Sequence, residues 1–141
     1  MKVAIKRIYQ EPSPQDGARV LVDRLWPRGL TKEAAALDAW LRDLAPSNEL
    51  RKWAHSHREQ WNKFREKYLQ ELSSETATEA LQQLYDMSKN SRRLTLLYAA
   101  KDEERNNALV LKQLIEGERK PPTGTGPMRA ASVKRVRAAR P

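Results

Sequence analysis

The chain has 141 residues, no cysteine, and 27 Lys+Arg against 18 Asp+Glu, for a formal net charge of +9. Such a length suits one domain with a core of moderate size, and the lack of cysteine excludes disulfides and thiolate chemistry and fits a reducing cytoplasm. The longest apolar run, Leu94 to Ala100, falls far short of the roughly 20 residues of a membrane span, and Met1–Lys6 lacks a signal peptide's apolar stretch, so a soluble cytoplasmic protein with no membrane partner is expected.

In chain order, Val3–Tyr9 and Arg19–Val22 are short β-branched runs separated by Pro12, Pro14 and the turn pair Asp16-Gly17, and both read as strands. Their link is too short for an ordinary crossover helix, so the residues alone leave a hairpin open. The second run passes into Asp23, Arg24, Leu25, Trp26, Pro27, Arg28 and Gly29. Charges are costly to bury unpaired, and Pro with Gly marks where a strand stops. The strand's carboxyl end therefore carries charged groups into a loop, the usual address of a ligand site in an open α/β sheet.

Leu37, Trp40, Leu41, Leu44 and Ala45 fall at i, i+3, i+4, i+7 and i+8 and predict one helical face. Pro46-Ser47 breaks the chain, and Ser47 suits the cap of a new helix holding Leu50 and Trp53. Further helices carry the stripes Trp61, Phe64, Tyr68, Leu72 and Ala77, Leu81, Leu84, Tyr85. Leu94–Ala100 is a continuous apolar run, as in a strand buried on both faces. Asp102 is placed to cap a last helix over about 103–116, with Glu103 and Glu104 at its positive end.

Residues 117–141 hold seven basic groups, among them Lys134, Arg135 and Arg137, and the one acid Glu118, so 1–116 is left with 20 basic and 17 acidic residues, net +3. The segment opens with a Pro/Gly-rich stretch, Pro121–Pro127, and has no aromatic. It is expected to be a linker and a disordered basic tail, free to touch nucleic acid through phosphates.

The run Arg19–Gly29 resembles the signature of the YeaO-like family of uncharacterised bacterial proteins, within a larger domain-of-unknown-function group. The similarity continues through Ala45-Pro46-Ser47, Leu50–Trp53, Trp61, Phe64, Tyr68 and Glu71-Leu72, and ends with Thr95–Asp102 and Asn106. It covers about residues 2–115. The resemblance implies a small Rossmann-like α/β domain with a short, mostly parallel sheet and a helix-rich middle; it brings no established reaction and no cofactor. Between Trp53 and Trp61 the family usually reads close to Phe-Gly-His-Asp-Pro, where this chain has Ala54, His55, Ser56, His57 and Arg58. After Asp102 the family often has His-Asn-His, where this chain has Arg105, Asn106 and Asn107. Both departures argue against a histidine-centred mechanism.

If the strands before Asp23 and Lys101 are parallel neighbours, Asp23, Arg24 and Arg28 leave one carboxyl end while Lys101, Asp102 and Asn106 leave the other. Arginines, a lysine and a helix N-terminus suit phosphate or carboxylate, and Asp23 would orient water, a ribose hydroxyl or an arginine. The bland alternative is that Asp23 pairs with Arg24, Arg28 or Arg51 to stitch loop to helix, and that Asp102 only caps. Trp26 either stacks on a ring or roofs the sheet. The candidate ligand residues are thus Asp23, Arg24, Trp26, Arg28, Arg51, Lys101, Asp102 and Asn106, in an enzyme or sensor of a small anionic, phosphate- or nucleotide-like ligand. The five glycines form no phosphate-loop pattern. His55 and His57, two apart on a helix, face opposite ways and suit no shared metal.

Overall fold

The computed structural model describes residues 2–117; of the expected tail, 117–141, only Gly117 is described, as the last residue of a helix, and the rest lies outside the described residues. Four strands, β1 (Lys2–Arg7), β2 (Ala18–Leu21), β3 (Ala39–Trp40) and β4 (Arg93–Tyr98), form one all-parallel sheet in the order β1-β4-β2-β3. The Leu-rich β4 lies between β1 and β2, pairing Val3 with Leu94 on one side and Val20 with Leu96 on the other. No hairpin joins β1 to β2, because β4 separates them.

The short link between them works without a crossover helix because polar groups fix its path. Ser13 caps a single 3-10 turn, Pro14–Asp16. Asp16 accepts from Lys6 Nζ at 3.0 Å and Arg19 Nη1 at 2.6 Å, and its carbonyl accepts from Thr95 Oγ1 at 2.7 Å. Gly17, at φ +66°, lets the chain graze β4: a Cβ there would sit 2.2 Å from the Arg93 carbonyl oxygen.

Residues 37–45 correct the expected helix. A one-turn α1 (Lys32–Ala35) ends at Ala36, which is left-handed at φ 49°. Asp38 then joins the sheet edge: its N–H donates to the Arg19 carbonyl, and its Oδ2 accepts from the Arg19 N–H, both at 2.8 Å. Ala39–Trp40 continues as β3, and Arg42–Leu44 is a 3-10 turn. The apolar spacing was real, but it splits between two faces: Leu41, Leu44 and Ala45 are buried, with Leu41 and Leu44 in the main core, and Leu37 and Trp40 pack on the opposite side of the sheet.

The remaining helices follow the sequence more closely. They are α2 (Asn48–Ser56), α3 (Trp61–Glu71), α4 (Glu75–Lys89) and α5 (Asn107–Gly117). Ser47 caps α2 through the Leu50 N–H at 3.0 Å and is itself held by Glu71. The start of α5 is a second correction. Asp102 closes a turn, its Oδ1 accepting from the Glu104 and Arg105 N–H groups, and Asn106 caps the helix by accepting from the Leu109 N–H at 2.9 Å. The glutamates precede the helix instead of opening it.

Strand alternation divides the core. Val20, Val22, Leu94, Leu96 and Tyr98 meet Leu50, Tyr68, Leu84, Val110 and Leu111, so α2–α5 cover one face. Ile8, Leu21 and Leu97 face the other way, where Ala35, Trp26, Leu30 and Trp40 cover them. This leaves the carboxyl ends of β1, β2 and β4 between loops, with α2 and α3 opposite.

Candidate functional site

An open cleft of about 1030 Å³ lies at those carboxyl ends, and all eight residues singled out in the sequence line it: Asp23, Arg24, Trp26, Arg28, Arg51, Lys101, Asp102 and Asn106. The strands supply one wall. Tyr9 follows β1, Asp23–Arg28 follow β2, and Ala99–Asn107 join β4 to α5. The facing wall comes from α2, the turn after it and the first turn of α3, with Arg51, Lys52, His55, His57, Arg58, Gln60, Trp61 and Phe64.

Asp23 is the most constrained of these. Its Oδ2 accepts from the Ala99 N–H at 2.8 Å and its Oδ1 from Asn107 Nδ2 at 3.1 Å, while its carbonyl accepts from Trp40 Nε1 at 2.7 Å. Asn107 Nδ2 also donates to the Val22 carbonyl at 3.0 Å. Burial pushes the Asp23 carboxyl above its usual value, against the pull of the Ala99 N–H, the Asn107 amide and the Arg51 charge. Asp23 forms no ion pair: among the described residues the pairs are Lys6–Asp16, Arg19–Asp16 and Lys112–Glu116. The expected stitching partners, Arg24, Arg28 and Arg51, are therefore replaced by a backbone N–H and a neutral amide.

The basic side chains are held loosely. Arg24 reaches the Pro46 and Ala45 carbonyls only at 3.4 and 3.3 Å. Arg51 donates to Asn48 Oδ1 at 2.9 Å. Arg28 is exposed, and its carbonyl, not its guanidinium, accepts from the Tyr9 hydroxyl at 3.0 Å. Lys101, Asp102 and Arg105 are exposed; Asn106, which caps α5, is buried. Counted around the cleft, seven Arg and Lys face two acids, Asp23 and Asp102.

Trp26 sits on the sheet face opposite α2–α5. Its Nε1 donates to the Leu30 carbonyl at 2.6 Å, and it packs edge-on against Trp40 with centroids 5.3 Å apart. Its role as a roof accounts for most of its surface. His57 ends α2 and stacks on Trp53 at 4.4 Å, with Nδ1 2.8 Å from the Trp53 carbonyl. A carbonyl only accepts, so Nδ1 is the donor in this contact. Among the described residues no group of three His, Asp or Glu is arranged to hold a metal, and no helix is long and apolar enough to cross a membrane.

Sequence reasoning missed two parts of this site. Asn107, the amide that holds Asp23, was passed over because the helix start was placed at Asp102. The facing wall at Arg58, Gln60 and Trp61 was missed because its residues read as a helix boundary and a core stripe; only the departure at His55–His57 drew notice to it.

The chain is 45% identical over 111 residues to the uncharacterized protein YeaO of Escherichia coli, covering 79% of this chain and 94% of the relative. It is 38% identical over 116 residues to the uncharacterized protein Mb3100c of Mycobacterium bovis and, equally, to Rv3073c of Mycobacterium tuberculosis, covering 82% of this chain and 95% of each relative. No solved structure matches it. The family model described as the inactive DUF488-N3 subclade matches residues 2–132. By this match and these identities the chain belongs to the YeaO-like proteins of the DUF488-N3 group, in the subclade described as inactive.

Proposed function

We propose that the domain is a sensor that binds a phosphate- or nucleotide-like anion in the cleft at the carboxyl ends of β1, β2 and β4. One observation carries this reading. Seven basic side chains against two acids gather around the cleft, whereas 1–116 as a whole is only +3. Concentrating like charge costs stability through self-repulsion, and an anion is what relieves it. The start of α5 beside Asn106 adds the positive end of a helix on the same side.

Binding without turnover fits the residues better than catalysis. Asp23, the carboxylate nearest the strand ends, has both oxygens engaged by Ala99 and Asn107, so it offers little as a general base. The subclade's description as inactive accords with this. A second reading, phosphate contacts with nucleic acid through 117–141, draws on the seven basic groups of that segment.

Thermal unfolding with phosphate, sulfate and nucleoside monophosphates, against chloride at matched ionic strength, tests the first reading. A ligand selective for the native state stabilises it by about 2.7 kcal/mol at 100 times its dissociation constant. The rise should shrink in Arg28→Ala and Lys101→Ala, both exposed residues. No shift at millimolar anion would count against it.

A further inference from the structure

The two large apolar side chains most exposed among the described residues, Leu25 at 61% and Tyr9 at 44%, both line the basic cleft. A bare phosphate or sulfate would give neither anything to cover. Aromatic rings are among the cleft's apolar groups. Trp61 is half-buried on the facing wall and stacks on Phe64 at 5.4 Å, and the Tyr9 ring lies under the Arg7 guanidinium at 5.3 Å. Acyl chains need an enclosed apolar tunnel, whereas flat rings interleaved with guanidinium groups in an open groove suit stacked bases.

Charge and size then separate one nucleotide from several. The seven basic groups come from three stretches of chain, the loop after β2, the segment after β4 and the α2–α3 wall. They enter the cleft from both of its walls. Against two acids they leave an excess that a single monophosphate would not neutralise. The volume of about 1030 Å³ also lies at the upper end of the range for small-molecule pockets, roughly 300–1,000 Å³.

We propose that the cleft takes a short run of single-stranded nucleic acid, with phosphates on Arg28, Arg58, Lys101 and Arg105 and bases against Trp61 and Tyr9. This rests on the anion-site reading above and names its ligand. A duplex keeps its bases stacked inside and has no use for the rings.

The test uses the full chain, so that residues 118–141 contribute equally to every comparison. Tryptophan fluorescence and anisotropy are followed with a single-stranded oligonucleotide of about ten thymidines, an abasic strand of equal length, a duplex and inorganic phosphate. Quenching by the base-bearing strand is expected, with affinity at least about tenfold above the abasic strand. The triple variant Arg58→Gln/Lys101→Gln/Arg105→Gln, altered only at exposed positions, should bind at least about tenfold more weakly. Its dependence of log K on log salt should be shallower by about 2, since single strands give a slope of about −0.7 per phosphate contact. Leu25→Ala should weaken the base-bearing strand and leave the abasic one unchanged. Equal affinity for abasic and base-bearing strands, or a triple variant equal to the parent, overturns the proposal. If phosphate still raises the unfolding midpoint in that case, the anion site survives and only its ligand is wrong. If phosphate also has no effect, both fall.

Discussion

Asn107 reaches back from the first turn of α5 to Asp23, its Nδ2 lying 3.1 Å from the carboxylate and 3.0 Å from the Val22 carbonyl. One side chain thereby ties the end of β2 to the helix that follows β4. Asp23→Asn should be destabilising, because an amide has one oxygen where two donors, Ala99 N–H and Asn107, require acceptors. A loss of about 1–3 kcal/mol is expected for the donor left unpaired. A double-mutant cycle of Asp23→Ala with Asn107→Ala, read by urea denaturation, should give a coupling of about 0.5–3 kcal/mol. An unchanged midpoint in Asp23→Asn would instead free the carboxylate for a ligand.

The cap of α5 separates two neighbouring candidates. Asn106→Ala removes the acceptor of the Leu109 N–H and should cost about 1 kcal/mol. Asp102→Ala removes only an exposed turn and should stay within about 0.5 kcal/mol of the parent. Chemical denaturation of the two variants side by side decides it.

The acid limb of stability should belong partly to Asp16. Burial alone would raise its carboxyl, but the Lys6 ammonium, the Ser13 N–H and the Arg19 guanidinium outweigh it and hold it below the usual 3.8. A carboxyl lowered in the folded state contributes stability above its unfolded value and loses it as pH falls through the folded one. Asp16→Asn should therefore be less stable than the parent at pH 7, and the difference should narrow below about pH 4. Melting curves from pH 7 down to pH 2 measure it. A difference constant with pH would deny the ion pairs their role.

Two glycines with positive φ should respond differently to alanine. Gly17 has both the strained angle and a carbonyl 2.2 Å from the added methyl, while Gly29, at φ +76°, has nothing within 4 Å. Gly29→Ala should cost about 1–2 kcal/mol from backbone strain alone. Gly17→Ala should cost clearly more, since β1, β2 and β4 would all have to shift around Arg93. Comparing the two by thermal unfolding isolates the contact from the angle.

Binding to duplex should depend on the segment beyond α5. Its seven basic groups, fully engaged, would give a slope of log K on log salt of about −6. Deleting 118–141 should remove most duplex affinity and leave the unfolding midpoint nearly unchanged. A truncated chain that kept its affinity and slope would move the duplex contacts onto the folded body.

The strand ends were legible because Asp23–Gly29 and Lys101-Asp102 cannot be strand interior: charge, Pro and Gly exclude it whatever the fold. Helices α2, α3 and α4 were legible from apolar stripes, and the start of α2 from its cap Ser47. Residues 37–45 misled because a periodicity of 3.6 records which side chains are buried, and a strand edge followed by a 3-10 turn buries the same ones; the Arg19–Asp38 pairing that decided the matter is not local. Net charge was a weaker guide. An average of +3 over 1–116 does not show that folding brings Arg28, Arg58, Lys101 and Arg105 to one cleft from positions far apart in sequence. The parallel order of β1 and β2 was not readable from their short link, since it depends on a strand more than seventy residues away.

That strand sets the timing of folding on the ribosome. β1 and β2 leave the exit tunnel early, but neither bonds the other, and β4, which both require, is among the last elements made. Pairings so distant in sequence must close a long loop before they return any stability. A nascent chain stalled before Arg93 thus has only the two-residue β2–β3 pairing to form, with β1 unpaired and one edge of β2 open, the condition in which chains aggregate or recruit chaperones. The architecture that puts the charged strand ends side by side also makes the domain wait for β4 before its central sheet can assemble.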